Sequence, residues 1–356
     1  MSFDENLPDN PARIRITLDE LSSAVAAPPP LDIASSSESA IKSYGNINEA
    51  PDAPTMTKEK PSILLQGWFY LGAAGFLGAL LGWAINEHAF VDGAGHRWGN
   101  YWLIPSIVAL MCVGFSIAES AVERSTRKAL IRAGIALPLG IVFGFLFDGV
   151  ADIVYSLGLA FCHAAGAQTY HNPAVWVARA IAWMVLGAAG GVVYGIIGQS
   201  MRKTGYGALG GAIGAALGGF VFDPIAFATH GGATSRAVGF CLLGLATGVG
   251  MGLVESALKD RWLYVSAGPL AGKQFILYKP ITTVGSAQDC DIYLFKDPAI
   301  LPLHATLEVK GSRVHLTAAG PVYAAGQPVR GVRVLETGTV IQLGRYGFRY
   351  QEKLRG

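Results

Sequence analysis

The stretch 282-TTVGSAQDCDIYLFKDPAILPLHATLEV-309 alternates apolar and polar residues around Val284 and again from His304 to Val309. Between these bursts lie Gly285 and the run Cys290-Asp291-Ile292, whose glycine and aspartate favour turns. A period of two marks strands with one buried face, so the stretch reads as short strands joined by turns. The texture continues on both sides. "KQFILYK", "ITTVG", "DIYLF", "HATLEV", "RVHLTA", "GVRVLE", "TVIQLG" and "YGFRYQ" are eight candidate strands. Their density predicts an all-β antiparallel sandwich over residues 263–353.

Upstream the chain changes character. Of 356 residues, 51% are hydrophobic and 15% charged, against about 25% charged in an average chain. The mean hydropathy is +0.39. Most of that excess sits in six apolar segments at about 64–85, 102–121, 130–149, 176–199, 206–228 and 236–257. Each approaches the ~20 residues a helix needs to cross ~30 Å of hydrocarbon. The expectation is a six-span α-helical membrane domain over 61–260. Lys58, Lys60, Arg124, Arg127, Lys128, Arg132, Arg202, Lys203, Lys259 and Arg261 fall on alternate connections. That asymmetry puts both termini in the cytoplasm, in a bacterial inner or plasma membrane. Residues 1–60, broken by "APPPLD", "SSSES" and "APDAP", have too little apolar surface to offset their conformational entropy and read as a disordered cytoplasmic tail.

The six spans read as three copies of one hairpin, inserted in the same orientation. "SIAESAVERS", "IIGQSMRKTG" and "GLVESALKDR" align Glu119-Ser120 with Gln199-Ser200 and Glu255-Ser256. "GWAIN", "GFLFD" and "GFVFD" align Asn86, Asp148 and Asp223, each four residues after a glycine. Glycines recur every three or four positions, as at Gly187, Gly191 and Gly195, which lets helix backbones approach closely. Asn86, Asp148, Asp152 and Asp223 form a candidate intramembrane polar site near the outer interface; the alternative is that each carboxylate marks where its helix leaves the membrane. Glu119 and Glu255 lie beside basic turns and read as solvated pairs.

The C-terminal module resembles the forkhead-associated (FHA) family over about 263–353. The resemblance rests on "GKQFILYKPITTVGSAQDCDIYL", "LPLHATLEV", "AAGQPV" and "VLETGTVIQLGRYGFRY", with Gly285, Gly326, Gly338 and Gly344 in family order. It implies a module that reads phosphothreonine with an arginine after the first glycine, a serine before the histidine and an asparagine before the later glycine. Here those positions hold Ser286, Leu301 and Ala325, and only His304 remains, in a bracing role. Replacing an arginine, a serine and an asparagine removes one charged and two neutral contacts. Such contacts contribute ~1.5–3 and ~0.5–1.5 kcal/mol each.

No GxSxG, HExxH or phosphate loop is present, and Cys112, Cys162, Cys241 and Cys290 stand singly without metal-ligand spacing. The sequence therefore predicts no enzyme, no cofactor and no metal site. A net charge of +2 gives no basis for nucleic-acid binding. The expected partners are membrane lipid and a cytoplasmic protein bound without need of phosphothreonine, in a signalling or scaffolding adaptor. The alternative is a transporter or channel regulated by the module, with its polar site at Asn86, Asp148 and Asp223.

Overall fold

The computed structural model describes residues 62–91, 98–167, 171–228 and 232–353. The 1–60 tail lies outside the described residues. Six helices come first: α1 Gly67–Asn86, α2 Trp98–Val122, α3 Thr126–Ala164, α4 Pro173–Ile197, α5 Met201–Ala228 and α6 Gly232–Leu258. All six are long and apolar enough to cross a membrane. Each packs on its neighbours in the chain, and α6 returns to α1, so the six close into a ring. The second helices of the hairpins, α2, α4 and α6, are the more buried set; α1, α3 and α5 lie outside them. Phe115, Tyr194, Leu243 and Met251 fill the interior.

The helix contacts repeat. Gly187 packs on Gly211, Gly191 on Gly207 and Gly195 on Thr204; with the same spacing, Gly244 packs on Gly75, Gly248 on Leu71 and Gly252 on Trp68. A Cβ on Gly187 would stand 2.2 Å from the Gly211 carbonyl oxygen, so this crossing requires glycine. The hairpins α1/α2 and α5/α6 also match: Gly78 on Leu110 and Gly82 on Ile107 correspond to Gly214 on Ala246 and Gly218 on Leu243. That register equates Glu119 with Glu255, as the sequence repeat does.

Gln199-Ser200 does not join that pair. Gly144 on Pro105 corresponds to Gly219 on Ala180, and this register sets Gln199-Ser200 against Arg124-Ser125. Both turns confirm it. Arg124 and Gln199 have φ of 55° and 53°, and Ser125 and Ser200 each accept the backbone N–H three residues on, from Lys128 and Lys203. The misalignment arises because an acid or amide followed by serine recurs five residues earlier, at Glu119-Ser120, inside the helix.

Helix α3 runs 15 residues past the expected end at 149, because Asp148, Gly149 and Asp152 do not interrupt it and an apolar run follows. Its 39 residues span about 58 Å at 1.5 Å per residue.

Eleven strands follow: β1 Arg261–Ala267, β2 Gln274–Ile276, β3 Ile281–Gly285, β4 Ile292–Tyr293, β5 Ala305–Lys310, β6 Arg313–Ala318, β7 Val322–Ala324, β8 Gln327–Pro328, β9 Val332–Leu335, β10 Val340–Leu343 and β11 Tyr346–Glu352. They form two sheets, β2-β1-β11-β10-β7-β8 and β4-β3-β5-β6-β9. Among the described residues only β3 and β4 pair in parallel. Leu263, Val265, Leu307, Leu316, Ile341 and Phe348 alternate inward from both sheets and form the core. The eight expected strands are present; β1, β7 and β8 are additional.

Candidate functional site

Three loops at the end of the sandwich carry the positions singled out in the sequence. Gly285 ends β3, and a Cβ there would stand 2.0 Å from the Pro302 carbonyl oxygen, so the β3–β4 and β4–β5 loops meet over a glycine. Ser286 follows. Its backbone N–H donates to the Leu301 carbonyl at 2.9 Å and its hydroxyl to the Ile300 carbonyl at 2.8 Å. That hydroxyl points inward and is occupied. Leu301 is 43% exposed and presents only an apolar side chain.

His304 is buried beneath these loops. Its Nδ1 accepts the Leu301 N–H at 3.0 Å, so Nε2 carries the hydrogen and meets the Pro321 carbonyl at 3.0 Å. One imidazole thus ties the β4–β5 loop to the β6–β7 loop. Ala325 lies in the β7–β8 turn, exposed, with φ +52°. The structure therefore groups Ser286, Leu301 and His304 and leaves Ala325 on a separate turn.

The loop after Ser286 also reaches the helices. Lys128, in the first turn of α3, donates to the Cys290 carbonyl and lies 3.4 Å from that of Asp291. Arg124 stands 5.8 Å over the Phe295 ring. Lys273, 3% exposed, donates to Glu123 of the α2–α3 turn at 2.8 Å, and Gln66 donates to the Gly272 carbonyl at 3.1 Å. Asp291 accepts from Lys279 at 2.9 Å and from both the N–H and hydroxyl of Thr283 at 3.0 Å. Burial alone would raise its carboxyl, but Lys279 and Thr283 outweigh that and hold it below the usual carboxylate range. Nearby, burial and then the charge of Glu255 push the Tyr278 hydroxyl well up, so it stays neutral.

Glu119 is likewise inside this contact zone. It accepts from Arg132 at 3.1 Å, Lys203 at 2.7 Å and the Tyr194 hydroxyl at 2.9 Å. Its side chain is 22% exposed, and that of Lys203 is 6%. The expected solvated pair is instead a largely enclosed network. The basic turns that marked the ends of the spans are partly consumed in holding the β-module.

At the opposite end of the bundle, Asp223 is buried and accepts Arg179 Nε at 3.0 Å. Arg179 also donates to the Tyr155 hydroxyl at 2.9 Å and lies over the rings of Tyr155 and Phe222. Arg236 repeats the arrangement on Glu87, at 3.1 Å, beneath Phe90. Asn86 donates to the carbonyl of Gly82 in its own helix. Asp148 and Asp152 stand one turn apart on α3. Asp148 occupies the register of Asp223, but the residue in the register of Arg179 is Ile104. Among the described residues no hydrogen bond or ion pair joins Asn86, Asp148 and Asp223 to one another. Sequence reasoning saw Arg179 and Arg236 as cations at helix starts and missed their pairing with Asp223 and Glu87; the signal was an arginine at the start of both α4 and α6.

Comparison with known proteins bears on the module. The family model described as the inner membrane component of the type III secretion system, cytoplasmic domain, matches residues 264–353. The oxoglutarate dehydrogenase inhibitor of Corynebacterium efficiens is 33% identical over 87 residues, covering 24% of this chain and 60% of that protein. The glycogen accumulation regulator GarA of Mycolicibacterium smegmatis is 32% identical over 87 residues, covering 24% and 54%. The match thus spans less than two thirds of either relative. Among solved structures, the FHA domain of the CT664 protein from Chlamydia trachomatis is 26% identical with a TM-score of 0.25, covering 27% of this chain and all of that one. Residues 264–353 form an FHA-type domain, carried on six helices long and apolar enough to cross a membrane.

Proposed function

We propose that this protein is an adaptor embedded in a bacterial inner membrane, with its FHA-type domain and N-terminal tail on the cytoplasmic side, and that the domain captures a protein partner without requiring phosphothreonine. One observation carries the second part. The Ser286 hydroxyl is turned to the Ile300 carbonyl, while Leu301 and Ala325 offer no side-chain donor. Nothing at those three positions supplies the charge-assisted, bidentate contact that phosphate recognition uses. The loop instead exposes Leu301 and Leu303, which suit an apolar patch on a partner. The regulator and inhibitor names of the relatives support a role exercised by binding another protein. The basic turns that hold the module support its cytoplasmic placement.

The test titrates the full-length protein in lipid nanodiscs against matched threonine and phosphothreonine peptide pools. Binding indifferent to phosphate, lost on Leu301→Asp, is the expected result. A clear preference for phosphothreonine overturns it. The triple change Ser286→Arg, Leu301→Ser, Ala325→Asn should create that preference, with a gain of ~1.5–3 kcal/mol from the charged contact alone.

A further inference from the structure

A cavity of about 140 Å³ lies between the helical bundle and the β-module. Its lining carries four carboxylates and four cations, and the pairing is unequal. Arg132 and Lys203 both serve Glu119, Lys273 serves Glu123, and Lys279 serves Asp291. The fourth carboxylate, Glu255, is 5% exposed, and its Oε1 has no hydrogen-bond partner among the described residues. The Tyr278 hydroxyl, which lies beside Glu255, likewise has no hydrogen-bond partner among the described residues. Glu119, the residue that hairpin packing equates with Glu255, holds two cations and a tyrosine. A buried carboxylate without a hydrogen-bonded counter-charge is unfavourable, and it is relieved by taking up a proton or by a bound cation.

The surroundings select the charge and size of that group. Every lining cation is hydrogen-bonded to a carboxylate other than Glu255, two of them to Glu119, so the lining is balanced in sum and its negative charge is local to Glu255. Trp68, Tyr70, Phe275 and Tyr278 supply aromatic walls, whose ring faces attract cations. A bare metal ion needs six or more oxygens, and the unpartnered oxygens here belong to Glu255 and Tyr278. The space also holds several water volumes, more than a naked ion fills.

We propose that this cavity binds a small organic cation, an alkylammonium or guanidinium compound, with Glu255 as its counter-ion and the Tyr278 hydroxyl as a hydrogen-bond acceptor. Glu255 belongs to α6, whereas Phe275 and Tyr278 belong to the β-module. An occupant touches both and fastens the module to the helices, so it regulates how firmly the module is held. This binding is independent of whether the module reads phosphothreonine.

The experiment uses the full-length protein in nanodiscs at constant ionic strength. Methylammonium, methylguanidinium and choline are titrated against matched sodium chloride, reading the thermal midpoint and the emission of Trp68, isolated by comparison with Trp68→Phe. At least one probe should raise the midpoint saturably. Glu255→Gln should weaken that binding about tenfold or more, and Tyr278→Phe less. Should Glu255→Gln fail to fold, Glu255→Asp keeps the charge, withdraws it by one methylene and should bind measurably but more weakly. Glu308→Gln, on strand β5 and outside the cavity lining, should change nothing. No saturable shift beyond sodium chloride with any probe, or an unchanged affinity in the Glu255 variants, overturns the proposal.

Discussion

At the far end of the bundle Asp223 meets Arg179 and Glu87 meets Arg236, one acid to one arginine. At the module end Glu119 takes Arg132 and Lys203, while Glu123 takes Lys128 and Lys273, a lysine that lies 150 positions away in the chain. The far end follows the hairpin repeat: an arginine in the first two turns of α4 or α6 finds a carboxylate near the C-terminal end of α5 or α1. The module end departs from it, because a single β-domain sits on a threefold-like surface and can engage only part of it. Duplication therefore explains the charges that stay within the helices. Fusion to an FHA-type domain explains those that break the pattern.

The strongest way to break this contrast is at Lys273. Both partners of the Lys273–Glu123 pair are nearly inaccessible, so removing one leaves a buried charge uncompensated. Glu123→Ala should cost about 3–5 kcal/mol of stability, read as a lowered thermal midpoint and as faster proteolysis between α6 and β1. The double change Glu123→Gln, Lys273→Met should recover most of that loss, since two neutral groups carry no stranded charge. Recovery no better than the single variant would show that Glu123 acts chiefly through Lys128.

At the far end the effects should be smaller and graded. Arg179→Ala strands Asp223, whose side chain is 6% exposed, and should cost about 3 kcal/mol. Arg236→Ala strands Glu87, 18% exposed, and should cost less. Equal losses would mean that the aromatic rings around the arginines, rather than the carboxylates, set the energy. The third site sharpens the comparison from the other direction. Ile104→Arg places a guanidinium opposite Asp148 in the register of Arg179 opposite Asp223. It should stabilise by up to about 1 kcal/mol, as a partly exposed pair does, and Asp148→Asn should erase the gain.

The sandwich was legible because its information is local. Alternation and turn residues name β3, β5, β6 and β11 without reference to anything distant. β7 and β8 escaped because three- and two-residue strands carry too few positions to show a period. The six helices were legible by length and apolarity, but the end of α3 was not: Asp148 and Asp152 looked like an exit from the membrane, and an exposed carboxylate does not by itself end a helix. The junction was the least legible part. Lys273 beside Glu123 and Lys128 beside the Cys290 carbonyl are tertiary facts, and no hydropathy window distinguishes a lysine that faces solvent from one that holds a domain. Ser286, Leu301 and His304 stand together because their loops meet over Gly285, and the inward turn of the Ser286 hydroxyl required coordinates.

Asp291 links the two kinds of information, because the Asp-Ile pair was visible in the sequence and its contacts were not. Lys279 and Thr283 hold its carboxyl below the ordinary range near 3.9, so the stabilisation is fully present above that value. It should fade as the pH falls through the lower folded-state value. Asp291→Asn should therefore flatten the acid limb of a stability-versus-pH curve while leaving its neutral-to-basic side parallel to the parent. An acid limb of unchanged slope would assign acid sensitivity to other carboxylates.

The smallest effect lies where no charge is involved. Ala325 occupies the left-handed region at φ +52°, followed by Gly326 at φ +77°, in an exposed turn. A Cβ in that region is disfavoured by roughly 1–2 kcal/mol in regular structure, and asparagine tolerates it better through local hydrogen bonding. Ala325→Asn should raise stability by about 1 kcal/mol or less, visible as a small rise in the unfolding midpoint. Ala325→Gly should gain less, because glycine relieves the same strain while enlarging the unfolded ensemble. The order matters more than the size. Asparagine above glycine above alanine would show that the left-handed backbone at this position, rather than any contact of its side chain, sets the energy of the turn.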